Sequence, residues 1–241
     1  MAPPALTIDG LGAAWGPVQV LWDITFSVED GAATLVLGAN GAGKSTLLAT
    51  LVGLHETRGG SVSLFGESVD RVPAHRRARL GVAFMSEQGI FPSLSIRENL
   101  VLGGLRLRQR ERAARIDEVL AMFPELADRL GEPAGSLSGG QRKMVGIAKC
   151  LMAAPRLLIM DEPSAGLAPR IVNEVIDRLR DLHAQGITLL VAEQNVSFLE
   201  LATDVIVLEG GRVRFSGPRD AFEHDNQLRE AFFGLEGLQE L

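Results

Sequence analysis

The sequence predicts an α/β fold: a mostly parallel sheet, an antiparallel patch ahead of it, and a helical lobe inserted into it. Three observations carry that expectation. Residues 38–45, Gly-Ala-Asn-Gly-Ala-Gly-Lys-Ser, fit G-x-x-x-x-G-K-[ST] between an apolar run and a helix start. Residues 33–37, 157–160 and 187–192 are almost continuously apolar, as strands covered on both faces are. From about residue 95 to 151 the pattern turns mainly helical.

Composition sets the outer limits. A chain of 241 residues with 46% hydrophobic residues can bury a substantial core. A net charge of −6 argues against a nucleic-acid-binding surface, which needs a basic stripe. Cys150 is the only cysteine, so no intrachain disulfide is expected and a reducing compartment fits. Residues 1–4 lack the basic and apolar regions of a signal peptide, and no apolar run approaches the ~20 residues that span a bilayer. Membrane association would therefore have to come through a partner.

The elements follow in order. Residues 5–8, 18–22 and 24–28 read as short strands separated by glycine and proline. Trp22 is expected in the core. Trp15 is expected in an open turn over residues 13–17, where it is a candidate for stacking on a base. Residues 33–37 form the strand before the glycine-rich loop, and residues 45–52 the helix after it. Residues 60–64 are another strand, 73–79 a short basic helix with a solvated His75, and 80–84 the next strand. Ser95 and Glu98 make a capping-box pattern. Residues 106–115 read as a solvated basic helix face, and the stripe Ile116, Val119, Leu120, Met122, Phe123 as core. Pro124 and Pro133 break the helices. Residues 156–161 return to a buried strand, 169–184 to an amphipathic helix and 187–192 to a strand. A short helix over 196–201, two strands at 205–208 and 212–215 joined by Gly210-Gly211, and a last helix from about 218 to 233 complete the chain.

Three short segments carry the chemistry. In the glycine-rich loop, Gly38, Gly41 and Gly43 are expected to take φ > 0 and turn N–H groups inward. The helix start adds roughly half a positive charge toward the same anion. Lys44 would reach the β- and γ-phosphates, and the Ser45 hydroxyl would hold Mg²⁺. Asp161 and Glu162 end an apolar strand, which suits Asp161 to the metal and Glu162 to a water. In Leu137-Ser-Gly-Gly-Gln141, Ser138 is an N-cap and Gln141 completes a capping box. Two glycines in that first turn cost ~1 kcal/mol each against alanine, a cost with a use if an anion must approach the backbone.

Taken together, GANGAGKS at 38–45, LSGGQ at 137–141 and LLIMDEPSAGL at 157–167 resemble an ABC-transporter ATP-binding subunit over essentially the whole chain. The resemblance implies a P-loop NTPase (RecA-like) core with an antiparallel β subdomain and an inserted α-helical subdomain. It implies one domain over 1–241, with the core at 1–86 and 155–241 and the helical part at 87–154. ATP and Mg²⁺ are the implied cofactors. Asn40, Gly41, Ala42, Gly43, Lys44, Ser45 and Thr46 would hold the phosphates, and Trp15 would stack on adenine. Ser138, Gly139, Gly140 and Gln141 of one cassette would close over the nucleotide of a second, giving two composite sites. Residues 164–167 match the loop that links those sites, and the helical subdomain would dock on membrane permease subunits. Glu162, Lys44 and Gln194 are the implied catalytic residues; Ser45 and Asp161 the metal ligands.

Two positions depart from the common pattern. Where the family usually has a glutamine that contacts Mg²⁺ and senses the γ-phosphate, this chain has Glu87 followed by Gln88, and either fits. Where the family usually has a histidine after the last core strand, Gln194 stands. Its amide can donate to a phosphate oxygen but cannot carry a proton, so hydrolysis should depend less on pH near neutrality. These departures, the short length and the Ala231-Phe-Phe-Gly ending resemble the LivF-type cassette of branched-chain amino acid importers. That resemblance implies a second cassette, either another copy or a longer LivG-type chain, with two permease subunits and indirectly a solute-binding protein. It also implies a cytoplasmic location, peripheral on the inner face of the cell membrane.

Overall fold

The computed structural model describes residues 3–225. Two sheets build it, and each strand's burial follows from which sheet it joins. The first sheet is antiparallel and contains β1 (Leu6–Trp15), β2 (Val18–Val28), β4 (Thr57–Leu64) and β5 (Glu67–Ser68), in the order β2-β1-β4-β5. The second contains β3 (Ala33–Leu37), β6 (Val82–Met85), β7 (Leu157–Asp161), β8 (Thr188–Glu193), β9 (Asp204–Glu209) and β10 (Arg212–Pro218). Its order is β10-β9-β3-β8-β7-β6, all parallel except the β9–β10 hairpin.

The apolar runs are continuous because the second sheet is covered on both faces. Leu35, Leu158, Met160, Leu189 and Val191 enter one core, which they share with α3 (Ile96–Gly103), α4 (Gln109–Met122), α6 (Gly139–Leu151) and α7 (Pro169–Ala184). Val36, Leu157, Ile159, Leu190 and Ala192 point the other way. There they meet α1 (Lys44–Leu51) and the inner face of the antiparallel sheet. α1 thus lies between the two sheets, with Leu47, Leu48 and Leu51 fully buried.

The remaining helices are short: α2 (Ala74–Arg77), α5 (Pro124–Ala127) and α8 (Arg219–His224). The helices α3 to α6 all fall between β6 and β7, neighbouring strands of one sheet. The insertion therefore leaves the sheet intact. Its helices start as their sequences specify: Ser95 and Ser138 each accept a bond from the backbone N–H three residues on, and Glu98 and Gln141 return it.

Several sequence expectations change. Trp22 is 44% exposed, not core. Its neighbour Leu21 faces inward, so alternation turns Trp22 outward beneath the Arg212 guanidinium. Asp23, at φ +53°, then resets the phase so that Ile24 again faces inward. The strands expected at 18–22 and 24–28 are thus one irregular strand. Trp15 is the last residue of β1, paired with Val18, rather than part of an open turn. Leu80 belongs to a 3₁₀ turn, Ala78–Leu80, and the short helix near 196 is also 3₁₀, Val196–Glu200.

The basic run at 106–115 is not merely a solvated face. α4 begins only at Gln109, and Arg112 and Arg115 donate to the carbonyls of Gly104 and Leu151, at the C-terminal ends of α3 and α6. The last helix is described as Arg219–His224; its expected continuation to 233, and the Ala231-Phe-Phe-Gly ending, lie outside the described residues.

One glycine joins the two sheets. Gly210 and Gly211 take φ +54° and +72° in the β9–β10 hairpin. The Gly211 carbonyl accepts from the Trp22 N–H at 2.8 Å, and a Cβ at Gly211 would overlap the Val20 carbonyl. Gly211→Ala should therefore lower unfolding stability by at least about 2 kcal/mol. Urea unfolding followed by far-UV circular dichroism checks this; an unchanged midpoint would show that the hairpin can move off β2 at no cost.

Candidate nucleotide site

The carboxyl ends of the parallel strands lie side by side, and the candidate residues are the ones that leave them. This is where open α/β sheets bind ligands. The loop after β3 is Gly38–Gly43, the segment after β6 carries Glu87, β7 ends in Asp161, and β8 ends in Glu193. Leu37 pairs with Glu193 and Asp161 with Ala192, which puts three of these ends in register.

The loop forms as expected at two of its three named glycines. Gly41 and Gly43 take φ +81° and +105°. Gly38 does not take positive φ; it is small because a Cβ there would come within 2.6 Å of the Leu208 carbonyl oxygen. Lys44 opens α1 and is 4% exposed. Its ammonium donates to the Gly38 and Ala39 carbonyls at 2.8 and 3.1 Å and lies 3.1 Å from Glu162 Oε1. Asn40, Gly41, Gly43, Lys44, Ser45 and Thr46 line one cavity together with Glu87 and Glu162. Ala42 lines an adjoining cavity of about 360 Å³ with Gln194. Of the two adjacent sensor candidates, Glu87 lines the phosphate-loop cavity and Gln88 lines neither of these two cavities.

Asp161 is 6% exposed. Burial pushes its carboxyl above the usual range; the Ser45 hydroxyl and Lys44 oppose that, while Glu162 and Glu87 reinforce it. Its Oδ1 has no hydrogen-bond partner. A buried carboxylate oxygen without a partner, beside a hydroxyl and at the mouth of a phosphate-type loop, fits a hard divalent cation such as Mg²⁺. Among the described residues no three carboxylate, imidazole or thiol groups converge to hold a metal alone. A cation here would draw its remaining ligands from a bound anion and water.

Glu162 follows at φ +46°, an uncommon conformation for a residue with a side chain. Its N–H donates to the Ala192 carbonyl at 2.9 Å, which anchors the turn to β8. Trp15 is 58% exposed, stacked on His55 at 4.2 Å between ring centroids, and donates to Thr46 Oγ1 at 3.2 Å. One face of the indole is thus covered, and its edge is tied to the phosphate loop.

Ser138, Gly140 and Gln141 line a separate cavity with Glu125, Ile171 and Glu174, sharing no residue with the phosphate-loop cavity. The two glycines there also serve packing: a Cβ at Gly140 would overlap Ile171, and one at Gly139 would sit 3.1 Å from Leu167. So the cost of glycine in this turn is partly explained by α7.

Sequence reasoning missed two residues. Glu193 is 2% exposed and ends a fully buried strand; its carboxylate accepts from the backbone N–H groups of Ser164, Gln194 and Asn195. Burial pushes its carboxyl up, and those bonds oppose the shift. The signal was an acid closing an otherwise apolar run. Lys143 is 8% exposed and donates to the carbonyls of Glu87 and Glu162. The signal was a lysine on the apolar stripe of α6, in phase with Gly140 and Ile147.

Because burial raises the Asp161 carboxyl, the folded chain holds that proton more tightly than the unfolded chain, and stability falls as pH rises through the interval between the two values. Asp161→Asn, which carries no charge to bury, should raise the unfolding midpoint of the ligand-free protein at pH 7 and little affect it at pH 3. Thermal scans at both pH values check this; a lower midpoint at pH 7 would refute the burial cost.

A family model described as ABC transporter matches residues 21–165. The chain is 36% identical over 231 residues to the high-affinity branched-chain amino acid transport ATP-binding protein BraG of Pseudomonas aeruginosa, covering 95% of this chain and 99% of that one. It is 35% identical to the probable branched-chain amino acid transport ATP-binding protein LivF of Archaeoglobus fulgidus, covering 89% and 93%. Other relatives carry names for glutamate/aspartate import and lipopolysaccharide export, so names alone leave the cargo open. A crystal structure of the ADP conformation of an ATP-binding cassette of an ABC transporter superposes with a TM-score of 0.85 at 24% identity, over 96% of this chain and 99% of that one. The chain belongs to the ABC transporter ATP-binding family, an ATPase on a P-loop NTPase fold.

Proposed function

We propose that this chain is the ATP-hydrolysing subunit of an importer for branched-chain or other hydrophobic amino acids. The observation that carries the hydrolytic reading is the orphaned Asp161 carboxylate beside Ser45, with Glu162 on the next residue and Lys44 across from it. The reading for cargo leans on likeness to BraG and LivF.

In this reading the loop N–H groups of residues 40–46 and the Lys44 ammonium bind the triphosphate, and the open face of Trp15 takes the adenine. Asp161 and Ser45 would hold Mg²⁺, with Glu87 or Gln88 nearby; the ion would neutralise charge on the β- and γ-oxygens when bound. Glu162 orients a water and accepts its proton as the water oxygen bonds to the γ-phosphorus. The bond from that phosphorus to the β–γ bridging oxygen breaks, leaving ADP and phosphate. Gln194 donates to a γ-oxygen without gaining charge. Ser138, Gly139, Gly140 and Gln141 complete the nucleotide site of a second cassette, through the N-terminus of α6. That second cassette is either another copy or a longer LivG-type chain.

The whole chain, 1–241, acts as one ATPase unit, with core at 1–86 and 155–241. The helical part at 87–154 meets two permease subunits, which hold the chain on the cytoplasmic face of the membrane and receive solute from a binding protein. Among the described residues no helix is long and apolar enough to cross a membrane itself.

Glu162→Gln should keep ATP affinity within about threefold and lower kcat by at least about 100-fold. Lys44→Ala should instead weaken ATP binding itself. Equilibrium binding and phosphate release check both; wild-type turnover in Glu162→Gln would remove the assigned base. For cargo, tagged chain purified from its own membranes in detergent should bring two hydrophobic subunits and a second cassette, and that complex in proteoliposomes should take up leucine. Uptake of another solute instead, or outward lipid movement, would replace the cargo assignment.

A further inference from the structure

Lys143 has no part in the reading just given, yet it touches two of its segments. It lies on α6, one turn past Ser138, and its ammonium donates to the Glu87 carbonyl at 2.8 Å and to the Glu162 carbonyl at 3.0 Å. Those carbonyls follow β6 and β7, and both residues line the phosphate-loop cavity. The side chain is 8% exposed and sits on the stripe of α6 that packs inward. A methionine would fill that space without a charge to desolvate. Packing therefore explains the stem of Lys143 but not its ammonium.

The ammonium has two uses in the structure. Burial works against its charge, and the carboxylates of Glu87, Glu193, Glu162 and Asp161 act in favour of it. It is thus the cation on the α6 side of the same acidic group that Lys44 meets from the loop. It also binds the carbonyl of Glu162, the residue held at φ +46°. A peptide plane in a sparsely populated conformation persists when its neighbours fix both ends. Here the Ala192 carbonyl holds the Glu162 N–H, and Lys143 holds its C=O.

We propose that Lys143 is a positioning residue for hydrolysis: it fixes the Glu162 backbone, and with it the carboxylate, in a setting that depends on where α6 lies. Because α6 begins with the Ser138 turn, the placement of that turn on a second cassette is carried to this chain's own Glu162. The proposal rests on Glu162 as the base and on Ser138–Gln141 as the turn that meets a second nucleotide.

Steady-state ATP hydrolysis tests it, measured on the detergent-purified complex in which the full-length chain is accompanied by its second cassette and permease subunits. Lys143→Met should lower kcat by at least about tenfold while KM for Mg-ATP stays within about twofold. Lys143→Arg, which keeps the charge and donors, should recover at least about a third of the wild-type kcat. Wild-type kcat in Lys143→Met overturns the proposal. So does a loss that Arg does not relieve, or one matched by a raised KM and a lowered unfolding midpoint, since either marks a packing role. Should Lys143→Met not fold, Lys143→Gln is read the same way, and failure of both to fold overturns the proposal in favour of a structural lysine. Wild-type protein and Glu162→Gln run alongside separate the two levels. If wild type does not turn over ATP, or Glu162→Gln does so at the wild-type rate, the functional reading fails; if both behave as expected and Lys143→Met is unaffected, only the role of Lys143 fails.

Discussion

Negative charge collects at the carboxyl ends of the parallel strands, and the site depends on how it is balanced. Asp161 and Glu193 are buried, and Glu162 and Glu87 stand beside them. Two lysines meet this group from opposite directions, Lys44 from the start of α1 and Lys143 from α6. Both are themselves almost wholly buried. Buried charges of one sign persist only where opposite charge or donated hydrogen bonds offset desolvation. Glu193 meets that requirement with three backbone N–H groups. Asp161 does not meet it fully: its Oδ1 has no partner.

The same charge balance ties the inserted helices to the sheet. α6 is joined to the strand ends by Lys143 and to α4 by Arg115, whose guanidinium binds the Leu151 carbonyl at its far end. Arg112 does the same for the end of α3. Each arginine satisfies helix carbonyls that have no partner within their own helix. The insertion is therefore held by hydrogen-bonded cations at its ends as well as by the apolar cluster around Ile116, Val119 and Phe123. The sheet beneath it is fixed separately, by a second apolar layer on the opposite face.

Local strain gathers in the same place. Glu162 is one of the few residues with a side chain at positive φ among those described, and it follows the buried end of β7. Its N–H is spent on β8 and its C=O on α6. The surrounding segments set its backbone, which leaves the side chain to face Lys44 and the loop. Its orientation is a property of three elements rather than of its own sequence neighbourhood.

What the sequence determined by itself was whatever is local. The phosphate loop, the two capping boxes, the apolar strands and the Gly210-Gly211 hairpin depend on residues within a few positions of one another, so their patterns survive in one dimension. Tertiary structure decided the rest. Trp22 turned outward because a bulge at Asp23 shifts the phase of β2, which no count of apolar residues reveals. Gly38 is small for the sake of Leu208, a strand far along the chain, and Gly140 for Ile171. Lys143 gains its two carbonyl partners only because α6 lies against the segments that follow β6 and β7. A buried charge takes its meaning from partners that only folding brings within reach.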